Sequence, residues 1–516
     1  MSSDQDVSSN SPQIGSDEWV AQVEGRVKKR EGFFGSLANS WERLPAAARY
    51  GLAALLLLVF PLISGSQPVL DAFGITNNDA ILRIGARFLV FAILAIGLNV
   101  VVGYAGLLDL GYVAFYGIAG YLYAYLSSEF VQIGTVVPNG LATPSWLSVP
   151  LIMGITATIG YFLGSVSLRL TGDYLAIVTL GFGQVFVLLA RTATRVQLPW
   201  VDHTIDFTRG PNGINRLDNI SLFGYSFEST LHYYYLFFVL LVIVYVVVNH
   251  LNQSRIGRAW RAMREDELAA EVMGMPTRNL KLLAFAMGAG IAALAGAVDA
   301  AWQSNVVPEP RYSVLTLINL YAMVVLGGTG SLPGVVIGAF IFTVLPEALR
   351  NVQFAGVLFY TAALIGLYTW LKPWQRFTAV FGGTIIIGFI LKFLVGWLWP
   401  SLDSACRTLA SPCPAPGSLL NQIVQGWLII PENFQTVGNV VTVLAVFVLL
   451  VTFLVKRPHY RWLLTSLVIY MFAFAWETRL AVEPAATRIL VVGASLVVLM
   501  IARPQGLLGK AEVRVI

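Results

Sequence analysis

Long apolar runs alternate with short polar connections along most of the chain. A run of about 20 apolar residues crosses a membrane as an α-helix, because a helix satisfies its own backbone hydrogen bonds in lipid. The pattern therefore predicts an all-α polytopic integral membrane protein with about 12–14 transmembrane or re-entrant helical segments. The predicted spans lie at 46–64, 80–102, 105–126, 146–168, 174–191, 231–249, 282–302, 355–371, 377–398, 436–455, 461–477 and 487–503, with two shorter segments inside 315–346.

The clearest departure from this pattern is a charged stretch at 255–285, which lies between two apolar runs. Its apolar residues recur at spacings of three to five positions, as on one face of an amphipathic helix, and Gly274 and Pro276 then end that helix. One interpretation is a helix that lies on the lipid headgroups, and the other is a docking helix for a soluble partner. The predicted apolar stripe consists of Trp260, Met263, Leu268, Val272 and Met275.

Basic residues set the predicted orientation in the membrane. The cluster at 26–30 and Arg43 precede the first span, which favours a cytoplasmic N-terminus. Counting segments from there, the basic connections at 372–376 and 456–461 and the charged stretch all fall on the cytoplasmic side. We therefore expect a disordered cytoplasmic tail at 1–45, and a last span followed by a cytoplasmic tail at 487–516.

Composition narrows the functional classes. With 57% hydrophobic and 12% charged residues, the 516-residue chain has too little charge to cover a set of water-soluble domains. Basic residues are not interleaved with aromatic ones as in a single-strand-binding surface, so we expect no nucleic acid partner. The four histidines are scattered without the spacing of metal ligands, and we expect no metal site.

A glycine-rich segment and a pair of cysteines do not by themselves indicate a catalytic site. The glycine-rich GGTGSLPG at 327–334 lacks the Gly-Lys-Ser/Thr ending of a phosphate-binding loop. It is instead interpreted as a sharp turn between two membrane segments, and the chain is not expected to hydrolyse ATP by itself. The two cysteines, Cys406 and Cys413, lie in a predicted external loop, where they either form a disulfide or remain free thiols.

Polar residues and glycines interrupt the apolar runs at predicted membrane depth. Asp109 and Asp299 are the clearest ionisable residues there, and such residues line a pathway or are paired in the interior. Asp109 stands beside a glycine-rich break, where it either lines the pathway or caps the N-terminus of a helix. The candidate pathway or gate residues are Asn99, Gly103, Gly106, Asp109, Gly327, Gly328 and Gly330.

Six stretches, in order, resemble the permease subunits of branched-chain amino-acid ABC importers of the LivM type. Residues 269–274 are similar to the Ala-Ala-three-residue-Gly core of the cytoplasmic coupling loop of such permeases, which we expect here at about 252–281. Leu268 stands where that motif often begins with Glu, and Glu267 is adjacent. The six stretches are GLNVVVGYAGLLDLGYVAFYGIAGY (97–121), LRLTGDYLAIVTLGFGQV (168–185), FTRGPNGI (207–214), GRAWRAMREDELAAEVMGMPTRNLKLLAFAMGAGIAALAGA (257–297), VVLGGTGSLPGVVIGA (324–339) and RPQGLLG (503–509).

The resemblance implies an importer in the cell membrane with two ATP-binding subunits, a second permease subunit, an external solute-binding protein and an amino-acid substrate. It implies no cofactor on this chain, because ATP and Mg²⁺ would be bound by the partner subunits. It places the permease core at 46–350 and leaves 351–486 as additional transmembrane segments that are not usual in the family. The implied ATPase-coupling residues on the amphipathic coupling helix are Trp260, Met263, Glu265, Asp266, Glu267, Leu268, Ala269, Ala270 and Gly274.

Two alternatives remain open at this point. Permeases of the same type import urea or short amides, and they look alike because the binding protein selects most of the substrate. A stand-alone secondary transporter belongs to another class and would show an internal inverted repeat or carboxylates for a coupling ion, neither of which stands out here.

Overall fold

The computed structural model describes most of the predicted spans and the connections between them. The chain divides into two compact units, Met1–Phe60 and Pro61–Ile516. The predicted tail at 1–45 and most of the predicted spans at 355–371 and 487–503 lie outside the described residues. The described residues are 46–65, 78–128, 143–167, 173–194, 206–222, 224–349, 360–361, 363–364, 366–368, 374–398, 427–428, 434–455, 458–480, 493, 497 and 506–508.

Helices form nearly all the regular structure in this part of the chain, which confirms the predicted fold class. Six of the described helices are long and apolar enough to cross a membrane, and several shorter apolar helices accompany them. In chain order the helices are α1 (Ala46–Ser64), α2 (Asn78–Asn99), α3 (Tyr112–Ser127), α4 (Ser145–Ser167), α5 (Asp173–Thr192), α6 (Thr230–Gln253), α7 (Arg255–Glu265), α8 (Glu267–Val272), α9 (Thr277–Gln303), α10 (Val314–Gly327), α11 (Leu332–Ala348), α12 (Trp374–Leu398), α13 (Phe434–Leu454) and α14 (Pro458–Leu480).

Helices α2 and α9 form the centre of the second unit. In each, 83% of the most apolar stretch is buried, whereas α4, α5 and α12 are mostly exposed along theirs. Small residues allow neighbouring helices to pack closely around α2 and α9, because membrane helices associate through close packing rather than through a hydrophobic effect. Gly288 of α9 packs against Val101, and Gly160 of α4 packs so closely against Ala289 that an added Cβ would lie 2.5 Å from the Cβ of that residue.

The second span ends in an irregular turn. A π-helix at Val100–Tyr104 continues α2, and a loop at 105–111 separates it from α3. The sequence correctly predicts a break here but starts the next helix too early, at 105 instead of Tyr112. Gly106 has a left-handed φ of 71°, which ends the helical path before α3 begins. We call residues 100–111 the span break.

The connections lie on two opposite faces. Helix α9 has 27 residues and is therefore about 40 Å long, and α7 and α8 precede it while strand β4 (Asn305–Val306) follows it. Strand β1 (Ile214–Asn215) pairs antiparallel with β4, and β2 (Ser221–Leu222) pairs with β3 (Tyr225–Ser226). We call the side that carries α7 and α8 the α7 face, and the side that carries the four strands the strand face.

Helices α12, α13 and α14 fall within the region predicted to be additional to the permease core, at the positions of the spans predicted at 377–398, 436–455 and 461–477. Of the three, α12 is long and apolar enough to cross a membrane, and α13 and α14 contain shorter apolar stretches. Leu428, Tyr470 and Phe474 form a buried cluster among them. The indole of Trp427 donates a hydrogen bond to Ile385 O at 3.1 Å, and Ser466 Oγ donates one to Val380 O at 3.1 Å. These bonds join α14 and the residues at 427–428 to α12.

Candidate functional site

The charged stretch forms two short helices instead of the single helix that its spacing predicts. Ser254 caps α7 by accepting hydrogen bonds from the backbone N–H groups of Ile256 and Gly257. Asp266 then adopts an extended conformation, with φ −154° and ψ 107°, and its Oδ1 accepts a hydrogen bond from Ala269 N at 3.0 Å. The side chain thus starts a new helix, α8, at the position where the first one stops.

One side of α7 is buried against the spans. Trp260 has no exposed surface and Met263 is 4% exposed. The indole Nε1 of Trp260 donates to Leu280 O at 2.8 Å, so α7 is fastened to the first turns of α9. The buried end of Lys281, on α9, contacts Glu267 Oε1 at 2.5 Å and fixes the start of α8 in the same way.

The predicted apolar stripe is therefore divided between two environments. Trp260 and Met263 face the interior of the chain, whereas Leu268 and Val272 are 75% and 86% exposed on α8. Met273, which follows α8, is 78% exposed as well. The break at Asp266 rotates α8 relative to α7, and a single continuous stripe is wrong for that reason.

The end of α8 is a glycine cap of the Schellman type. Gly274 N donates to Glu271 O, and Met275 N donates to Ala270 O across the turn. Gly274 has a φ of 79°, and a side chain added there would meet no neighbouring atom within 4 Å. The sequence correctly predicts that the helix ends here, because this backbone conformation favours glycine. Glu265, Asp266, Ala269 and Glu271 are exposed around it, and Ala270 is buried.

Arg264 connects α7 to the span break. Its Nη1 donates a hydrogen bond to Gly103 O at 2.5 Å. Its aliphatic stem packs over Gly106, where an added Cβ would lie 2.8 Å from Arg264 Cγ. Sequence reasoning missed this residue, although its position four residues after Trp260 places both on one face of the helix and signals that it also points inward.

The glycine-rich turn at 327–331 lies against the same break. The side chain of Asn99 accepts a hydrogen bond from Gly330 N at 2.8 Å. Gly103 carries no side chain at this contact, and an added Cβ would overlap Asn99 Oδ1. Gly328 and Gly330 have φ values of 110° and 83°, which makes the connection between α10 and α11 the sharp turn that the sequence predicts.

The C-terminal motif also reaches this turn. Leu507 N donates to Leu326 O at 2.8 Å, and Leu508 N donates to Gly327 O at 3.1 Å. Three of the sequence stretches that resemble the permease family, at 97–121, 257–297 and 324–339, thus meet a fourth, at 503–509, on the α7 face. This is where the structure brings together Asn99, Gly103, Gly106, Gly327, Gly328 and Gly330 with α7.

Asp109 lies within the span break and is fully buried. Its Oδ1 accepts a hydrogen bond from Gly111 N at 2.9 Å, directly before α3, which is close to the predicted capping arrangement. Its Oδ2 has no hydrogen-bond partner among the described residues. The loop is held from both sides, because Tyr321 OH donates to Asp109 O at 2.6 Å and Leu110 N donates to Thr179 Oγ1 at 2.9 Å. That the carboxylate lines the pathway stays a prediction.

Asp299 belongs to a separate polar cluster near the strand face. Tyr116 OH donates to Asp299 Oδ2 at 2.5 Å, and Arg311 Nε lies 3.8 Å from the same oxygen. Gln303 Nε2 donates to the other carboxylate oxygen at 3.4 Å. Asp299 is therefore paired in the interior, one of the two arrangements that the sequence allows for a carboxylate at this depth.

Within the residues that the structure describes, no group of three or more His, Cys, Asp or Glu side chains is placed to bind a metal ion. Cys406 and Cys413 lie outside these residues, so their pairing stays a prediction. The arrangement on the α7 face instead joins an exposed apolar surface on α8 to a break in a central helix, through backbone and side-chain hydrogen bonds. Such an arrangement can pass a displacement of α7 and α8 to the membrane spans.

Comparison with known proteins identifies a family whose members resemble this chain over most of the described helices. A family model described as the branched-chain amino acid transport system permease component matches residues 80–387. The match ends inside α12, so the predicted boundary of the permease core at 350 stays a prediction. No solved structure matches the chain.

Three relatives illustrate the similarity. The high-affinity branched-chain amino acid transport system permease protein LivM of Escherichia coli is 35% identical over 55% of this chain and 66% of its own length. The protein of the same description from Salmonella typhimurium is 34% identical over 56% of this chain and 68% of its own length. A probable branched-chain amino acid transport permease protein LivM from Methanocaldococcus jannaschii is 24% identical over 54% of this chain and 84% of its own length.

The chain thus spans just under two thirds of the Escherichia coli relative and slightly more than two thirds of the Salmonella one. The matched region runs from the first turn of α2 into α12, and it contains the span break, α7, α8 and the glycine-rich turn. The protein therefore belongs to the family of branched-chain amino acid transport system permease components.

Proposed function

We propose that this chain is the membrane-spanning permease subunit of an ATP-driven importer for the branched-chain amino acids leucine, isoleucine and valine. Its relatives are named as permease proteins of branched-chain amino acid transport systems, and its family carries the same description. In this proposal the protein lies in the cell membrane with both termini in the cytoplasm. ATP and Mg²⁺ are bound by two partner subunits and not by this chain.

The exposed apolar surface of α8 is the observation that carries the coupling part of the proposal. Leu268, Val272 and Met273 are each at least 75% exposed on the α7 face. A helix that lies on lipid headgroups carries Lys and Arg on its polar side. The charged side chains of α8 and of its cap, Asp266, Glu267 and Glu271, are all acidic, which favours a protein partner over an anionic lipid surface.

The contacts that hold α7 against the spans connect the exposed surface of α8 to the membrane helices. Trp260 and Met263 hold α7 against the spans, and Lys281 holds the start of α8 through Glu267. A displacement of α8 by the closing of two ATP-binding subunits would therefore move α7, α6 and α9 together. We propose that this rocking opens the pathway alternately to the two sides of the membrane.

The remaining partners would meet other surfaces. A second permease subunit would complete the pathway, and an external solute-binding protein would deliver the amino acid to the strand face. The loops at 206–229 and 304–313 lie there and are joined by the pairing of Ile214 with Val306. This pairing provides a firm platform at the end of α9 that lies away from α7.

Uptake in proteoliposomes tests the proposal. The chain is co-expressed with its second permease and ATP-binding subunits, purified, and supplied with the solute-binding protein, ATP and labelled leucine. We expect ATP-dependent uptake that isoleucine and valine compete for and that urea and acetamide do not. Competition by urea or acetamide alone would assign the amide substrates, and uptake by the isolated chain without ATP-binding subunits would assign a secondary carrier.

Substitution of the exposed surface tests the coupling. Leu268→Asp combined with Val272→Asp should abolish ATP-dependent uptake and reduce co-purification of the ATP-binding subunits by about tenfold or more, since exposed anchor residues dominate an interface. Leu268→Met is the matched control, because it keeps an apolar side chain at the same position. The double variant should still reach the membrane, as both residues are exposed. Unchanged uptake with this variant would contradict the docking role of α8.

A further inference from the structure

We propose that Arg264 transmits the movement of α7 to the span break and thereby acts as a positioning residue of the transport cycle. The proposal rests on the function proposed above, since it takes α7 to be displaced by ATP-binding partners. The contact joins residues that are 161 positions apart in the chain, and its donor is a guanidinium on the helix that carries the docking surface.

The hydrogen bond lies at a position where a helix needs a donor. Gly103 belongs to the π-helix that ends α2, and the last carbonyl groups of a helix have no partner in the next turn. A guanidinium there satisfies such a carbonyl and matches the negative end of the helix dipole. The donor, Arg264 Nη1, belongs to a cationic guanidinium, so its hydrogen bond to Gly103 O is charge-assisted.

The same side chain contacts both glycine elements of the site. Its stem packs over Gly106, and an added Cβ at Gly330 would lie 3.2 Å from its Nη1. Gly330 is in turn bonded to Asn99, on the turn that precedes Gly103. Arg264 therefore sits where α7, the span break and the glycine-rich turn meet, and displacement of α7 would act on all three.

The far side of the break is fastened to other spans. Tyr321 OH holds Asp109 O from α10, and Thr179 Oγ1 holds Leu110 N from α5. A pull on Gly103 would thus be resisted at residues 109–110, and the segment between them would change shape. Asp109 Oδ2 is buried without a hydrogen-bond partner among the described residues, which is costly and favours a second arrangement of the break in which it is paired.

Other arginines of α7 provide the contrast. Arg261 is exposed, and Arg258 donates to Gln253 O at the end of α6. Only a group that reaches the span break can transmit motion to it, so Arg261→Gln is the matched control for Arg264→Gln. Arg264→Lys keeps the charge but not the planar guanidinium, and we expect it to retain part of the effect.

The test follows the exposure of Leu108, which lies in the span break and is 40% exposed. Leu108→Cys is introduced after the two native cysteines are replaced by serine, and the importer is assembled with its partner subunits in proteoliposomes. The rate of maleimide labelling is measured without nucleotide and with ATP plus vanadate. When Arg264 is present, both in the otherwise unchanged importer and in Arg261→Gln, we expect nucleotide to change the labelling rate about tenfold. In Arg264→Gln we expect nucleotide to leave the labelling rate unchanged, because the charge-assisted bond is lost.

Several results would overturn the proposal. One is a nucleotide effect that persists in Arg264→Gln, and another is the absence of any effect when Arg264 is present. If Arg264→Gln does not assemble with the ATP-binding subunits, Arg264→Met preserves the stem over Gly106 and removes only the hydrogen-bond donors. A nucleotide effect that survives in Arg264→Met would equally refute the link.

Leucine uptake in the same preparations separates this inference from the proposed function. Labelling that depends on Arg264 without any leucine uptake would leave the link standing and refute the substrate. Leucine uptake with labelling that is independent of Arg264 would refute the link alone. If both proposals hold, Arg264→Gln should hydrolyse ATP but import about tenfold less leucine per ATP than Arg261→Gln.

Discussion

Trp260→Phe removes the indole donor of α7 and leaves an aromatic ring in the same buried position. The wild-type side chain has no exposed surface, and its Nε1 donates to Leu280 O at 2.8 Å. This bond and the packing around it fasten α7 to α9. The substitution therefore measures how firmly α8, the proposed docking surface, is connected to the membrane spans.

The expected magnitude follows from these two contributions. The lost hydrogen bond costs about 1 kcal/mol. The smaller ring buries about 40 Å² less apolar surface, which costs about 1 kcal/mol more. The sum of about 2 kcal/mol corresponds to a roughly thirtyfold larger population of locally opened α7. Trp260→Ala would cost about 3–5 kcal/mol and detach the helix far more often.

Limited trypsin cleavage of the solubilised protein measures this opening, because cleavage follows the population of the open form when opening and closing are fast. The cleavage sites are Arg258 and Arg261, both exposed on α7, and the products are identified by mass spectrometry. Trp146→Phe is the control, since Trp146 is 51% exposed on α4 and should have no effect. Cleavage of Trp260→Phe at the wild-type rate would refute the reasoning that this bond holds α7.

Two further predictions concern the helix packing. Gly338→Ala should lower the melting temperature of the solubilised protein by several degrees, because an added Cβ would overlap Met323 O where α10 and α11 meet. Gly154→Ala is its control, with open space around it, and an equal effect of both would contradict the packing argument. Asp299→Asn should destabilise the protein by about 3 kcal/mol, because it leaves Arg311 without its carboxylate in a largely buried position. Adding Arg311→Gln should recover part of this loss in a thermal double-mutant cycle, whereas additive losses would show that the pair is not coupled.

The sequence predicts well those features that depend on neighbouring residues. Apolar runs locate the described spans to within a few residues, except that α3 begins at Tyr112 instead of 105. Gly274 and the glycines at 327–330 are predicted as helix ends and turns, because a left-handed backbone favours glycine. The break within the charged stretch is not predicted, since Asp266 fits a helical pattern and caps the next helix equally well.

Contacts between residues that are far apart in the chain cannot be predicted from the local sequence pattern. The stripe from Trp260 to Met275 shows which residues are apolar but not that Trp260 faces the spans and Val272 faces outward. The bond from Arg264 to Gly103 O uses a backbone carbonyl, which has no side-chain signature in the sequence. The bond from Leu110 N to Thr179 Oγ1 is not predictable either, because a threonine within a span usually bonds to its own helix.

The turn at Val100–Tyr104 holds one residue more than an α-helical turn. When such an extra residue passes along a helix by one position, only the residue that it passes over turns by about 100° and shifts by about 1.5 Å, because the turns on either side keep their register. In α2 a single step would turn Asn99 away from Gly330 and release the glycine-rich turn, while the other turns of the helix stay intact. The end of the second span would then rearrange in steps of one residue, each a local rotation, instead of by a gradual bend of the helix.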